Sequence, residues 1–120
     1  MNDFRYGPYA YNETMRSAVA ALRDFNDTDL ATALCQKEIR ENKSKLPWLL
    51  LFLISLSEGK YVYAGACFKA SIGENIKLVL LKIKMLTEKL ENGAFECNLD
   101  KIQDFIEGFF QDDNDEKFVL

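Results

Sequence analysis

The sequence predicts an all-α protein in which about three antiparallel helical hairpins stack into a short array. Glycine and proline are scarce, at 6 and 2 of 120 residues, so little interrupts the helix-forming residues. Apolar residues recur at helical spacing, and a pattern of two helices and a turn repeats after 34 residues. A chain of this length suits one compact domain, which we place at residues 1–111, followed by an acidic tail at 112–120.

The clearest hairpin lies in the middle of the chain. Pro47 is typical of a first helical turn, where its missing N–H group would have no partner. We expect a helix from Pro47 to about Glu58, a stop at Gly59, and a second helix over Tyr61–Ile72. The apolar run Leu46–Leu56 is therefore a buried helix, since a bilayer needs about 20 residues.

The same pattern returns downstream and, more weakly, upstream. Gly59-Lys60-Tyr61 aligns with Gly93-Ala94-Phe95 after the 34-residue shift, and Asn98 is a good N-cap for the helix that follows. The upstream turn, residues 25–28, has cap residues instead of glycine. The other predicted helices are Asn12–Asp24, Asp29–Asn42, Ile76–Glu91 and about Asn98–Phe110.

The central hairpin resembles a known family. Its spacing of Trp…Leu…Gly-x-Tyr…Ala…Phe is similar to that of the tetratricopeptide repeat, here as Trp48, Leu51, Gly59, Tyr61, Ala64 and Phe68. Two features depart from that family: Phe52 replaces a usual small residue, and the proline that closes a unit is missing near Ile76. The resemblance implies that the first helix of each unit lines a concave groove for a partner protein.

Carried over to this chain, the groove is lined mostly by leucine. Its residues are Leu49, Leu53, Leu56 and Ser57 from one unit, and Leu80, Ile83, Lys84, Thr87 and Leu90 from the next. Such a groove suits an apolar segment or an amphipathic helix of another protein. The alternative is that these leucines belong to the core, covered by the N-terminal helix or tail.

Both ends of the domain present aromatic residues. Phe109 and Phe110 end an apolar stripe where a capping helix is normally polar, so the helix either folds back to bury them or offers a surface for a partner or self-association. Near the N-terminus, aromatic residues surround Gly7-Pro8 and either pack across the array as a lid or order on binding. These are Phe4, Tyr6, Tyr9 and Tyr11.

Residues suited to catalysis are few. The chain has no histidine, no phosphate-binding glycine motif and no Cys-x-x-Cys pair, so we expect no enzyme, no cofactor and no metal site. The tail sequence DDNDE, 112–116, lacks the central glycine of a calcium loop. The three cysteines, Cys35, Cys67 and Cys97, are expected to be reduced packing thiols.

Charge and targeting signals narrow the class of partner. Residues 1–111 hold 15 acidic and 14 basic side chains, which does not resemble a nucleic-acid binder. We see no secretory signal and expect a cytoplasmic protein without membrane insertion.

The favoured function is a small cytoplasmic chaperone or adaptor. The chain resembles the needle-subunit chaperones of bacterial type III secretion in its length, its net negative charge, its number of predicted hairpins and its predicted apolar groove. That resemblance implies a secreted helical subunit or a co-chaperone as partner. The alternative is a structural homodimer that associates through the helix carrying Phe109 and Phe110.

Overall fold

The computed structural model describes residues 7–111, which form six α-helices. The helices are α1 (Glu13–Phe25), α2 (Thr28–Asn42), α3 (Leu46–Ser57), α4 (Tyr61–Ser71), α5 (Ile76–Leu90) and α6 (Leu99–Gln111). The all-α prediction is confirmed for this part of the chain, and each predicted helix boundary lies within one residue of the observed one. The acidic tail at 112–120 lies outside the described residues.

Polar side chains and left-handed residues set the helix ends. The side chain of Asn12 accepts a hydrogen bond from the Met15 N–H at the start of α1, and Asn98 does the same for Lys101 at the start of α6. Asn26 ends α1 with a φ of 50°, and Gly59 follows α3 with a φ of 75°. The cap residues of the 25–28 turn thus replace glycine there, as predicted.

Helix α3 forms the centre of the molecule. Every residue from Leu49 to Leu56 is buried, so this helix has no continuous exposed face. It packs against α2, α4 and α5, and it forms its most extensive contact with α4. A helix that is apolar all round is expected to lie inside its domain, which explains why this run is not amphipathic.

The first and third helical pairs touch each other directly. Helix α1 packs on α5, and the Ala94 N–H donates a hydrogen bond of 2.6 Å to the carbonyl oxygen of Arg23 near the end of α1. In a linear array each unit contacts only its neighbours. The packing is compatible with a helical array but adds this further contact, so the tetratricopeptide-like arrangement stays a prediction.

Helix α6 packs on α3 and α4 through aromatic rings. The centroids of Phe105 and Phe52 lie 5.3 Å apart, and those of Phe109 and Phe68 lie 4.9 Å apart. Within residues 7–111, α6 belongs to none of the extensively contacting helix pairs, so its aromatic rings provide its clearest contacts with the other helices. The three-residue turn at 58–60 holds α3 against α4, whereas the connection at 91–98 is long enough to let α6 diverge from α5.

The segment before α1 crosses the ends of the central hairpin. The Pro8 carbonyl accepts hydrogen bonds from the N–H groups of Lys45 and Leu46, at 2.7 and 2.9 Å. Tyr9 is buried, and its hydroxyl donates a hydrogen bond to the carbonyl oxygen of Ser71. The segment from Pro8 onward therefore packs against the central hairpin, as in the first of the two alternatives, while Phe4 and Tyr6 lie outside the described residues.

Candidate functional site

The predicted groove residues lie mainly in the core. Seven of them are 8% exposed or less, namely Leu49, Leu53, Leu56, Leu80, Ile83, Thr87 and Leu90. The neighbouring helices α2, α4 and α5 surround α3, and α1 covers part of α5. This burial agrees with the alternative interpretation, in which these leucines belong to the core. Helix α1 is one of several helices that cover them. A partner therefore has access to these residues only where clefts open at the edge of the core.

One such opening lies between α5 and α6 and has a volume of about 850 Å³. We call it the α5–α6 cleft. Its apolar lining includes Leu90, Phe95 and Leu99, and the Leu99 side chain is 56% exposed. The other lining residues are Lys84, Thr87, Glu88, Glu91, Asn92, Gly93, Ala94, Glu96, Cys97, Asp100, Gln103 and Glu107. Three residues of the predicted groove, Lys84, Thr87 and Leu90, thus border an open cleft.

A second cleft of about 470 Å³ opens at the C-terminal end of α3. Leu53 and Leu56 form part of its wall, and the α1–α2 turn forms another part. Phe95, Glu96 and Cys97 line both clefts. The connection between α5 and α6 therefore separates two adjoining concave surfaces.

The α5–α6 cleft is strongly acidic. Within the part of the chain that the structure describes, five carboxylates and a single lysine, Lys84, line it. The carboxylates belong to Glu88, Glu91, Glu96, Asp100 and Glu107. The four acidic residues nearest the connection occupy the last turn of α5, the connection itself and the first turn of α6. Lys84 lies nearly two helical turns before the end of α5. The negative charge is thus concentrated at one end of the cleft.

The buried carboxylate of Glu38 has a structural explanation. Its oxygens accept hydrogen bonds from the side chains of Asn12 at 2.7 Å, Asn42 at 2.9 Å and Ser44 at 2.8 Å. These contacts join the start of α1 to the end of α2 and to the 43–45 turn. Three donors satisfy a carboxylate well in a buried position, so this residue is not a candidate for catalysis.

The three cysteines are free thiols held in their protonated form. Burial raises the pKa of Cys35 to about 12 and that of Cys97 to about 11, and it also raises the pKa of Cys67. The thiolate is the reactive form of cysteine, and these shifts disfavour it at neutral pH. The geometry therefore agrees with packing thiols.

The rings of Phe109 and Phe110 are half-buried against the molecule itself. Both contact Phe68 of α4, with centroid distances of 4.9 and 5.9 Å, and they contact each other at 5.2 Å. Helix α6 therefore folds back onto α4. This agrees with the first of the two interpretations of its apolar stripe, in which the helix folds back to bury Phe109 and Phe110. Self-association through these two residues stays a prediction.

The described residues contain neither a candidate metal cluster nor a candidate membrane-spanning helix. Within residues 7–111, no three histidine, cysteine, aspartate or glutamate side chains come together as a possible metal site. No helix in the same part of the chain has the length and apolar character needed to cross a membrane. The DDNDE stretch lies outside the described residues.

Comparisons with protein-family models, curated proteins and solved structures found no match to this chain. The tetratricopeptide and type III secretion resemblances therefore stay predictions, and the site is interpreted from its own geometry.

Sequence reasoning did not identify the acidic cleft. The stretch from 88 to 100 contains four acidic residues and one lysine, Lys89. The acidic residues are Glu88, Glu91, Glu96 and Asp100. That local excess is a visible signal. What the sequence does not display is that this stretch borders an opening between two helices.

Proposed function

We propose that the protein is an interaction module, a small chaperone or adaptor, that holds a helical segment of another protein in the α5–α6 cleft. The observation that carries the proposal is the open, partly apolar cleft lined by α5, the 91–98 connection and α6. The proposal keeps the class of function inferred from the leucine pattern. It moves the binding site away from the buried face of α3.

The cleft has dimensions that suit a short helical segment. From Lys84 to Glu91 along α5, and from Leu99 to Glu107 along α6, each wall extends about 10–12 Å at the rise of an α-helix. This length corresponds to about two turns of a bound helix. A helix in a groove is held by apolar side chains at i, i+3, i+4 and i+7, which span the same distance.

Leu99 is the side chain in this cleft that a partner would cover most directly. It is 56% exposed in an otherwise polar first turn of α6, beside buried Phe95 and Leu90. Covering an exposed leucine with apolar surface stabilises a complex by up to about 1.5–3 kcal/mol. Removing it should therefore weaken binding without disturbing the core.

The experiment uses the full chain and a labelled designed helical peptide whose leucines recur at i, i+3, i+4 and i+7. Fluorescence anisotropy should report saturable binding, and Leu99→Ser should weaken it by about tenfold or more. The control is Leu81→Ser, because Leu81 is 63% exposed on α5 and does not line the cleft. Equal effects of the two substitutions, or no binding by the unaltered protein, would refute the proposed site.

A further inference from the structure

We infer that the segment bound in the α5–α6 cleft is a basic amphipathic helix, with lysine or arginine side chains beside its apolar stripe. This inference rests on the proposed function and adds the charge of the partner. Two observations support it: the excess of carboxylates around the cleft and their uneven distribution along it.

Among residues 7–111, the carboxylates of the cleft form no ion pair, although Glu107 accepts a hydrogen bond from the Gln103 side chain at 3.1 Å. Glu88, Glu91, Glu96 and Asp100 are all exposed, and the ion pairs seen among the described residues, Arg23–Asp24 and Lys60–Glu58, lie elsewhere. Among the described residues that line the cleft, Lys84 is the one basic residue. An acidic partner would bring like charges together, whereas a basic partner would be attracted and correctly oriented.

The uneven charge gives the bound helix a direction. Four of the five exposed carboxylates cluster where α5 ends and α6 begins, while Lys84 and Glu107 lie toward the opposite end of the cleft. The basic residues of the partner should therefore lie beside the connection at 91–98. A helix N-terminus carries partial positive charge, so it is also favoured at that end. The bound helix would then run in the same direction as α6.

The apolar and acidic parts of the cleft have separate roles in this inference. Leu90, Phe95 and Leu99 supply the surface that any amphipathic helix could cover. The carboxylates select among such helices and accelerate their association, since exposed charges contribute more to specificity and association rate than to affinity. Their individual contributions are small, so the effect depends on several acting together.

The first test compares two designed peptides with the same leucine stripe, one flanked by lysines and one by glutamates. The full-length protein should bind the lysine peptide about tenfold more tightly or better at low salt. Raising the salt concentration should reduce this preference, because exposed charges are screened within about 10 Å at 0.1 M. Peptide capture is separated from self-association if the lysine peptide binds at a single site and the number of protein chains in the complex does not change.

The second test reverses charge in the cleft. The double variant Glu91→Lys with Glu96→Lys changes two exposed side chains and should abolish or reverse the preference for the lysine peptide. The matched control, Asp29→Lys with Glu41→Lys, makes the same net change at exposed positions of α2 and should keep that preference.

The outcomes distinguish the inference from the proposed function. If both peptides bind equally and Leu99→Ser weakens both, the cleft binds helices but the inferred basic partner is wrong. If the α2 control loses the preference as fully as the cleft variant, net charge rather than the cleft selects the peptide, which also overturns the inference. If neither peptide binds, both the inference and the proposed function fail.

Discussion

Gly93 occupies a position where the α5–α6 connection touches the backbone of α1. A Cβ atom placed there would lie 2.5 Å from the carbonyl oxygen of Arg23 and 2.7 Å from its Cγ. The hydrogen bond from the Ala94 N–H to that carbonyl keeps the two segments together. Glycine is thus required at position 93 because two backbones approach each other closely there. Gly59, with which it aligns in the sequence repeat, is favoured for a different reason, its positive φ of 75°.

Substituting Gly93 by alanine should lower the free energy of unfolding by about 1–3 kcal/mol, because the added carbon overpacks a backbone contact. Gly65→Ala is the matched comparison. Its Cβ would lie 3.7 Å from the ring of Phe105, an ordinary contact, inside helix α4. That change should raise the free energy of unfolding by about 0.5–1 kcal/mol. Urea unfolding of both variants tests the contrast, and equal effects would contradict it.

Phe52 shows how one departure from the repeat pattern affects packing. Its ring is fully buried and contacts Phe68 at 5.1 Å and Phe105 at 5.3 Å. A small residue, usual at this place in the resembled family, could not form either ring contact. The sequence reveals the departure, but the identity of the ring that meets Phe52 depends on where α6 packs.

At the scale of helices, local patterns predict boundaries well and neighbours poorly. Caps such as Asn12 and Asn98 lie next to the residues they cap, so the sequence contains both halves of each signal. The contact of α1 with α5 joins residues far apart in sequence. Apolar periodicity predicts which face of a helix is buried, but not which other helix that face contacts. The candidate site could not be predicted for the same reason, since it depends on how α5 and α6 are placed relative to each other.

The N-terminal segment compensates for a missing cap on the central helix. Helix α3 has no side-chain cap at Lys45, and the carbonyl of Pro8 supplies the acceptor that its first N–H groups need. Tyr9 anchors this arrangement by its hydrogen bond to Ser71 at the end of α4. The segment therefore stabilises both helices of the hairpin at once.

Tyr9→Phe keeps the buried ring and removes that hydrogen bond. The free energy of unfolding should fall by about 1–3 kcal/mol, because the Ser71 carbonyl loses a partner in a buried place. Tyr63→Phe is a suitable control for losing a tyrosine hydroxyl, since Tyr63 is 45% exposed. A smaller loss for Tyr9→Phe than for Tyr63→Phe in chemical denaturation would show that the segment does not stabilise the hairpin.

The molecule as a whole should lose stability at alkaline pH. Burial raises the pKa of Cys35 from 9.0 to about 12 and that of Cys97 from 9.0 to about 11. Below pH 9 both the folded and the unfolded chain hold these protons, so ionisation of the two thiols does not lower the free energy of unfolding. Above it the unfolded chain releases them first and binds fewer protons than the folded chain. The free energy of unfolding therefore falls as pH rises.

Each thiol that is ionised only in the unfolded state contributes a slope of about 1.4 kcal/mol per pH unit. Urea unfolding between pH 8 and pH 11 would measure the slope under reducing conditions. Cys35→Ala should flatten it relative to the unaltered protein. An unchanged slope in that variant would mean that Cys35 ionises in the folded state as readily as in the unfolded state.

Contact between the first and third helical pairs also determines how the molecule unfolds. Because α1 packs on α5 and its end bonds to the 91–98 connection, loss of the first pair would uncover residues of the third. A linear array lacks this closure and can lose a terminal unit by itself. We therefore expect the described helices to unfold as one cooperative unit.

Leu22→Ala tests that expectation. Leu22 is fully buried in α1, and its truncation should cost about 2–5 kcal/mol. The protein has one tryptophan, Trp48 in α3, whose fluorescence reports on the central helix, while circular dichroism reports on all helices. Both signals should shift to the same lower urea midpoint, and Leu81→Ala on the exposed face of α5 should shift them little. If the circular dichroism signal instead fell at lower urea than the Trp48 fluorescence, the first helical pair would unfold by itself. The α1–α5 contact would then be too weak to make the helices unfold as one unit.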